Sequence, residues 1–292
     1  MSEQQEQQGI LYVVATPIGN LQDITARALD VLRMVSRVAA EDTRHSRKLL
    51  AHYGIGTPLV ALHEHNERAI SQRLLQILAA GEDIALVSDA GTPLISDPGF
   101  FLVRAASQVN IRVVPVPGPS ALIAALSVAG LPTDRFCFEG FLPSRQAARR
   151  QRLQTLQNGT ATLVFYESSH RIRASLADMA EVFGAGREAT LARELTKTFE
   201  TIRHGTLDGL LAWMDADSNQ QKGEFVVLVQ GVSAGGPTAV DAAAGQVLAV
   251  LLAELPLRQA AALAAKITGC SKNVLYEHGL MLKEKGNVRR ET

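Results

Sequence analysis

Cysteine is scarce in this chain, with two residues in 292, Cys137 and Cys270. They lie far apart, without a Cys-x-x-Cys or a histidine at ligand spacing, so neither a disulfide framework nor a structural zinc is indicated, and a reducing, cytoplasmic setting fits. Net charge is lacking too, because 29 Lys+Arg meet 29 Asp+Glu. No overall field draws nucleic acid or an anionic membrane, and any polyanion site has to be a local patch. No apolar run reaches the length of a bilayer span, and the opening "MSEQQEQQG" has neither the basic nor the apolar region of a signal peptide. Residues 1–9 read as a disordered tail, and no membrane partner is expected. Solenoid-type repeats are absent.

What is present is enough apolar sequence for about two domains. The fold class is α/β. From Ile10 to Pro132, β-branched runs alternate with helix-period segments, the order of a largely parallel sheet. Strands are expected at Leu11 to Ala15, Arg37 to Ala40, Leu59 to Leu62, Asp83 to Val87 and Ile111 to Pro115, with helices such as Thr25 to Val35 and Arg68 to Ala80. After "GLPTDRF" the rhythm changes, and a second α/β domain, 133–233, is expected. Its strands are Arg135 to Phe141, Ala161 to Tyr166, Ala189 to Leu195, Glu200 to His204 and Glu224 to Gln230. The third and fourth stand too close for a helical crossover, which predicts a hairpin and a mixed sheet. The linker "GVSAGGPTA" then precedes a C-terminal helical unit, 240–292.

In open α/β sheets, ligands bind beyond the carboxyl ends of the strands. The segments there are "TPIGN", "EDTR", "HEHNE", "SDAGTPLISDPG" and "PVPGPSA". The Asp89 loop lacks the Gly-x-x-x-x-Gly-Lys spacing, and its carboxylates repel phosphate. Asp89 and Asp97 offer too few oxygens for a hard cation, so no metal is expected. Its backbone groups and carboxylate suit a neutral or cationic small molecule, while the alternative is a tight turn with Ser96 or Asp97 capping the next helix. "GAGREA", Gly184 to Ala189, satisfies a dinucleotide spacing but follows a helix and precedes a strand, which is the reverse context. His63 and His65 of "HEHNE" lack a third ligand at matching spacing.

Taken together, "VATPIGNLQDIT", "AEDTRHS", "ALVSDAGTPLISDPG", "VPVPGPSA", "GLPTDRFCFEGFLP", "FYESSHRI" and "ARELTKTFE" closely resemble the ribosomal RNA small subunit methyltransferase I family. The resemblance spans residues 10–282. That family lies in the tetrapyrrole-methylase fold group, whose members bind S-adenosylmethionine in a cleft between two α/β domains and act as homodimers. It implies a cofactor site at Pro17, Asp89, Gly91, Thr92, Pro93, Ile95, Ser120, Ala121 and Tyr166. One departure stands in the first loop, where tetrapyrrole methylases carry a Gly-x-Gly-Pro-Gly run and this chain has "ATPIGN", which favours the RNA branch.

The implied reaction is methylation of the 2′-hydroxyl of a cytidine in the decoding region of 16S ribosomal RNA, in an assembled small subunit. A ribose hydroxyl needs a base or a cation that stabilises its alkoxide, and the catalytic candidates are Glu167, Glu194 and Lys197. An edge strand with solvated charges is the alternative for "RELTK". RNA contacts are expected from Arg44 and from Arg145, Arg149, Arg150 and Arg152, the last four on one helix capped by Ser144. The stretch from Arg258 to Thr292 has seven Lys/Arg against three Asp/Glu and reads as helix, Gly269 turn, helix. Such a unit either grips RNA or makes dimer or domain contacts. Two rival functions remain at this level: a tetrapyrrole or other small-molecule methyltransferase, and a non-catalytic regulator reading nucleic acid through its C-terminal helices.

Overall fold

The computed structural model describes residues 8–232 and 242–288. The first five strands are β1 (Leu11–Val14), β2 (Arg37–Ala40), β3 (Leu59–Ala61), β4 (Ile84–Val87) and β5 (Val113–Val116), all parallel, in the order β3-β2-β4-β1-β5. Between them run α1 (Ala26–Met34), α2 (Thr43–His52), α3 (Glu67–Ala79) and α4 (Phe100–Gln108). Side chains alternate across a strand, so both faces can be covered. Val14, Val38, Ala40, Ala85 and Val87 pack with residues of α1 and α2. Leu11, Ala39, Ile84 and Leu86 pack with residues of α3 and α4.

The second sheet holds β6 (Phe136–Phe141), β7 (Thr162–Ser168), β8 (Glu188–Arg193), β9 (Thr201–Thr206) and β10 (Glu224–Val229), in the order β6-β7-β10-β8-β9. β6 and β7 are parallel and the other pairs antiparallel, so the sheet is mixed and β8–β9 is the expected hairpin. One face is buried by α6 (Gln146–Leu156), α7 (Ile172–Phe183) and α8 (Leu207–Ala216). The other is covered by α5 (Ala121–Val128), which follows β5 in sequence yet packs Leu122, Ala125 and Leu126 on Val164, Ala192, Val226 and Leu228. This helix joins the halves and leaves a cleft beside its N-terminus.

Boundaries shift where backbone geometry intervenes. β8 stops at Arg193 rather than Leu195 because Glu194, at φ 51°, turns the chain out of the extended region. α6 starts from Arg145, not from a Ser144 cap, and no side chain caps it. Of the segment read as a tail, 1–7 lie outside the described residues, whereas Gly9 is buried and its amide bonds Leu78 O at 2.8 Å. A Cβ there would lie 2.1 Å from Glu82 O. The linker reading falls mostly on 233–241, outside the described residues.

The C-terminal unit comprises α9 (Ala242–Glu254), α10 (Leu257–Thr268) and α11 (Lys272–Val288), closed around Leu248, Ala260, Ala261, Ala264 and Leu275. α10 ends on Gly269 at φ 75°, the left-handed cap glycine adopts without steric cost. The side chains of 283–288 and all of 289–292, which carry four of the seven basic residues counted there, lie outside the described residues.

Candidate active site

A cavity of about 310 Å³ opens where the carboxyl ends of the first sheet face the second sheet. Its first wall is the loop after β4. The chain leaves the strand, and Gly91 pairs with Thr16 in both directions, at 2.8 and 3.0 Å. The Ser88 carbonyl accepts the Thr16 hydroxyl at 3.1 Å, and Thr92 Oγ1 donates to Pro119 O at 3.2 Å. Between those anchors, Leu94 and Ser96 sit at φ 72° and 70°, each costing about 1–2 kcal/mol. Strain of this size persists where the surroundings over-determine it.

The amides that start α4 are not capped by Ser96 or Asp97. Buried Glu67 of α3 accepts from Gly99 N at 2.8 Å and Phe101 N at 2.9 Å. Asp97 is thereby left to line the cavity. Burial first, then the charges of Glu41 and Asp89, push its carboxyl up to about 6, against an opposing hydrogen bond from Ser88. Glu41 is raised as well, by burial and then by Asp89. The Asp89 carboxylate accepts from Asp42 N at 3.0 Å, tying the end of β4 to the start of α2. No Lys or Arg pairs with these three acids among the described residues.

The second wall comes from β7, β8 and β10. Tyr166 points from β7 at α5 and accepts the amide of Leu122 at 3.1 Å, one of the unpaired donors at the helix start. Burial raises its phenol above the usual value. Lys197 lies across the mouth, bonded to Glu194 Oε1 at 2.9 Å and Glu224 Oε2 at 2.8 Å. Burial pulls the ammonium down, but those two hydrogen bonds outweigh it and the net shift is upward. For Glu194 burial pushes up, and the bonds from Lys197 and the Glu224 amide win, so its carboxyl is lowered. Glu194 and Thr196 both have positive φ, and Thr196 Oγ1 accepts Asn20 N at 3.1 Å, so this turn is fastened to the first loop of the other half.

Asp89, Gly91, Thr92, Ile95, Ser120, Ala121 and Tyr166 all border the cavity. Pro17 and Pro93 are buried behind it. Sequence reasoning missed Ile18, Phe141 and Leu195, apolar residues that border the cavity, whose only signal was their place inside the quoted motifs.

Glu167 also borders the cavity, but its carboxylate is engaged elsewhere. On β7, Leu163 and Phe165 face the α6–α8 layer while Val164 and Tyr166 face α5, so the two-residue period directs the Glu167 side chain toward α7. That side chain has no exposure; it accepts from Ser175 Oγ at 2.8 Å and pairs with Arg171 at 3.2 Å.

Of the arginines at α6, the structure corrects one and pairs two others. Arg149 is buried against Asp178 at 2.6 Å and cannot reach a phosphate. Arg150 pairs with Asp178 and Glu181, and Arg152 with Glu139 at 2.6 Å. Arg145 alone of the four is exposed and without an ion pair among the described residues. Arg44, outside the cavity, is exposed and pairs with Asp42 at 2.8 Å.

Residues 10–211 match the family model "Tetrapyrrole (Corrin/Porphyrin) Methylases", and 238–283 match "RsmI C-terminal HTH domain". A protein of Pseudomonas aeruginosa named ribosomal RNA small subunit methyltransferase I is 63% identical over 278 residues, covering 95% of this chain and 99% of that one. The protein of the same name from Escherichia coli O157:H7 is 55% identical, covering 94% and 95%. This chain belongs to the ribosomal RNA small subunit methyltransferase I family. Among solved structures, the family's fold is shared by a diphthine synthase (TM-score 0.59, 16% identity, 76% of this chain and 90% of that one). It is shared also by the uroporphyrin-III C-methyl transferase of Thermus thermophilus complexed with S-adenyl homocysteine (TM-score 0.53, 20% identity, 77% and 98%).

Proposed function

We propose that this chain transfers a methyl group from S-adenosylmethionine to the 2′-hydroxyl of a cytidine in the decoding region of 16S ribosomal RNA. In this reading it acts as a homodimer on the assembled small subunit, in the cytoplasm. The observation that carries the proposal is the cavity itself, whose first wall holds Asp89 and Asp97, which no Lys or Arg pairs among the described residues, and whose opposite rim holds a charged lysine. A cationic ligand relieves the repulsion between those two acids, and Gly91, at φ 85° with only Ile18 at 3.4 Å and Pro119 O at 3.9 Å near its missing Cβ, lets backbone approach closely. The donor set therefore fits S-adenosylmethionine, which, when bound, supplies an electrophilic methyl carbon on a sulfonium centre.

Asp89, Gly91, Thr92, Ile95, Ser120, Ala121 and Tyr166 would hold it, with Pro17 and Pro93 fixing the two loops from behind. Asp97 contributes a negative charge that grows as a cation approaches. Lys197 keeps its proton in this setting, so it serves by charge, stabilising the oxygen of a ribose as its proton leaves. Glu194 and Glu224 hold the ammonium in place. The names of the relatives support the RNA substrate, and the "ATPIGN" loop supports that branch over tetrapyrrole chemistry.

The test is transfer of a labelled methyl from S-adenosylmethionine to small ribosomal subunits lacking the modification, followed by nuclease digestion and mass spectrometry. Label on a cytidine ribose is expected. Cofactor binding without label on subunits or their RNA overturns the reading and returns the tetrapyrrole and regulatory alternatives.

A further inference from the structure

Two helices carry dense positive charge in the sequence, α6 and α2. On α6 all three arginines are paired with Asp178, Glu181 or Glu139. On α2, "TRHSRKLLAH", there is no acidic residue at all. Ser46 and Leu50 are buried, and Arg44, His45, Arg47, Lys48 and His52 are exposed. At 100° per residue those five fall on one face, opposite the buried pair. Arg47 and Lys48 have no ion-pair partner among the described residues, whereas Arg44 is held by Asp42 through two side-chain hydrogen bonds, at 3.1 and 2.8 Å.

We infer that the exposed face of α2, with Arg47 and Lys48 at its centre, takes the phosphate backbone of the RNA substrate beside the cleft. This rests on the reading of the protein as an RNA methyltransferase. The location follows from hydrogen bonding, because the amide of Asp42, which caps α2, donates to the Asp89 carboxylate of the cofactor loop. The charged face thus begins at the cavity rim and runs from Arg44 to His52, about 12 Å at 1.5 Å per residue. The occupant is argued from charge: the chain as a whole is neutral, and two neighbouring cations unpaired among the described residues, on a helix with no acid in it, suit a polyanion.

The experiment compares the intact protein with the double variant Arg47→Ala/Lys48→Ala in equilibrium binding to two probes. One is small ribosomal subunits lacking the modification, and the other is 16S RNA extracted from them, each across a salt series. The expected result on both probes is affinity roughly tenfold weaker, with the slope of log affinity against log salt shallower by about 2, one for each lost phosphate contact. Thermal melting and S-adenosylmethionine affinity stay unchanged, and Arg150→Gln on α6 leaves the salt slope where it was. An unchanged slope in the double variant overturns the inference. Weakening on subunits but not on extracted RNA also overturns it, since the face would then meet a ribosomal protein. Failure of the intact protein to bind or methylate either probe defeats the functional reading first and this inference with it.

Discussion

The two halves of the molecule treat charge in opposite ways. Around the cleft, the first half leaves Glu41, Asp89 and Asp97 without a Lys or Arg ion-pair partner, and Arg47 and Lys48 of α2 without an acidic one, among the described residues. The second half pairs much of its charge: Arg149 with Asp178, Arg150 with Glu181, Arg152 with Glu139, Arg171 with Glu167, and Lys197 with Glu194 and Glu224. Buried charges must be compensated within the fold, whereas charges at a rim can wait for a ligand to compensate them. A paired group therefore speaks of architecture and an unpaired group of binding. Lys197 belongs to both, being paired and facing the cavity.

The largest effect tests the architectural side. Asp178→Ala leaves Arg149 buried and uncompensated, and chemical denaturation is expected to show a loss of about 3–5 kcal/mol. Arg47→Ala on α2 should stay within about 0.5 kcal/mol of the parent. Equal losses would erase the contrast between the halves.

Lys197 comes next, because it tests whether a paired charge also acts. Lys197→Ala is expected to lower kcat for methyl transfer about 10²–10³-fold with S-adenosylmethionine affinity retained, the loss seen when an oxyanion donor is removed. A normal kcat with a lowered melting temperature would reduce Lys197 to a tie between loops.

Asp97 gives a pH signature of the unpaired side. Its folded value of about 6 exceeds the ordinary 3.8, so the stability it contributes is present below 3.8 and lost as pH rises through 6. Cofactor affinity runs the other way. Calorimetric titration should show binding weakening as pH falls below 6, by up to about tenfold per unit. Asp97→Asn should flatten both dependences, and a persistent slope would assign the proton elsewhere. The smallest effect is that of Glu167→Gln, which keeps an acceptor for Ser175 on a side chain directed toward α7. It should change kcat by less than tenfold, far below the ~10²–10⁴ that loss of a general base costs.

Much of the fold was legible. Parallel strands buried on both faces must be apolar along their length, and "RVAA" and "IALV" stand where that pattern put them. The hairpin of β8 and β9 followed from a connection too short for a helix. Seven of the nine residues expected to hold the cofactor border the cavity, because loops at strand ends converge whatever their side chains do. Tyr166 and Glu167 mark the limit of such reading. They are neighbours in one motif, but the two-residue period of the strand sends one toward α5 and the other into the α7 layer.

By itself the sequence determined the α/β class, the order of the elements, the Gly/Pro loop after β4 and the family, since each depends on local pattern or on strings of residues. Tertiary structure alone decided which charges are spent. Arg149 and Arg47 look alike in the chain, yet Asp178, 29 residues away, neutralises one, while among the described residues no acid pairs with the other. Glu67 likewise caps α4 from 32 residues upstream, freeing Asp97 for the cavity. The reason is physical: a side chain's charge and hydrogen bonds are settled by whatever stands within a few ångströms, and that distance is set by packing rather than by position along the chain.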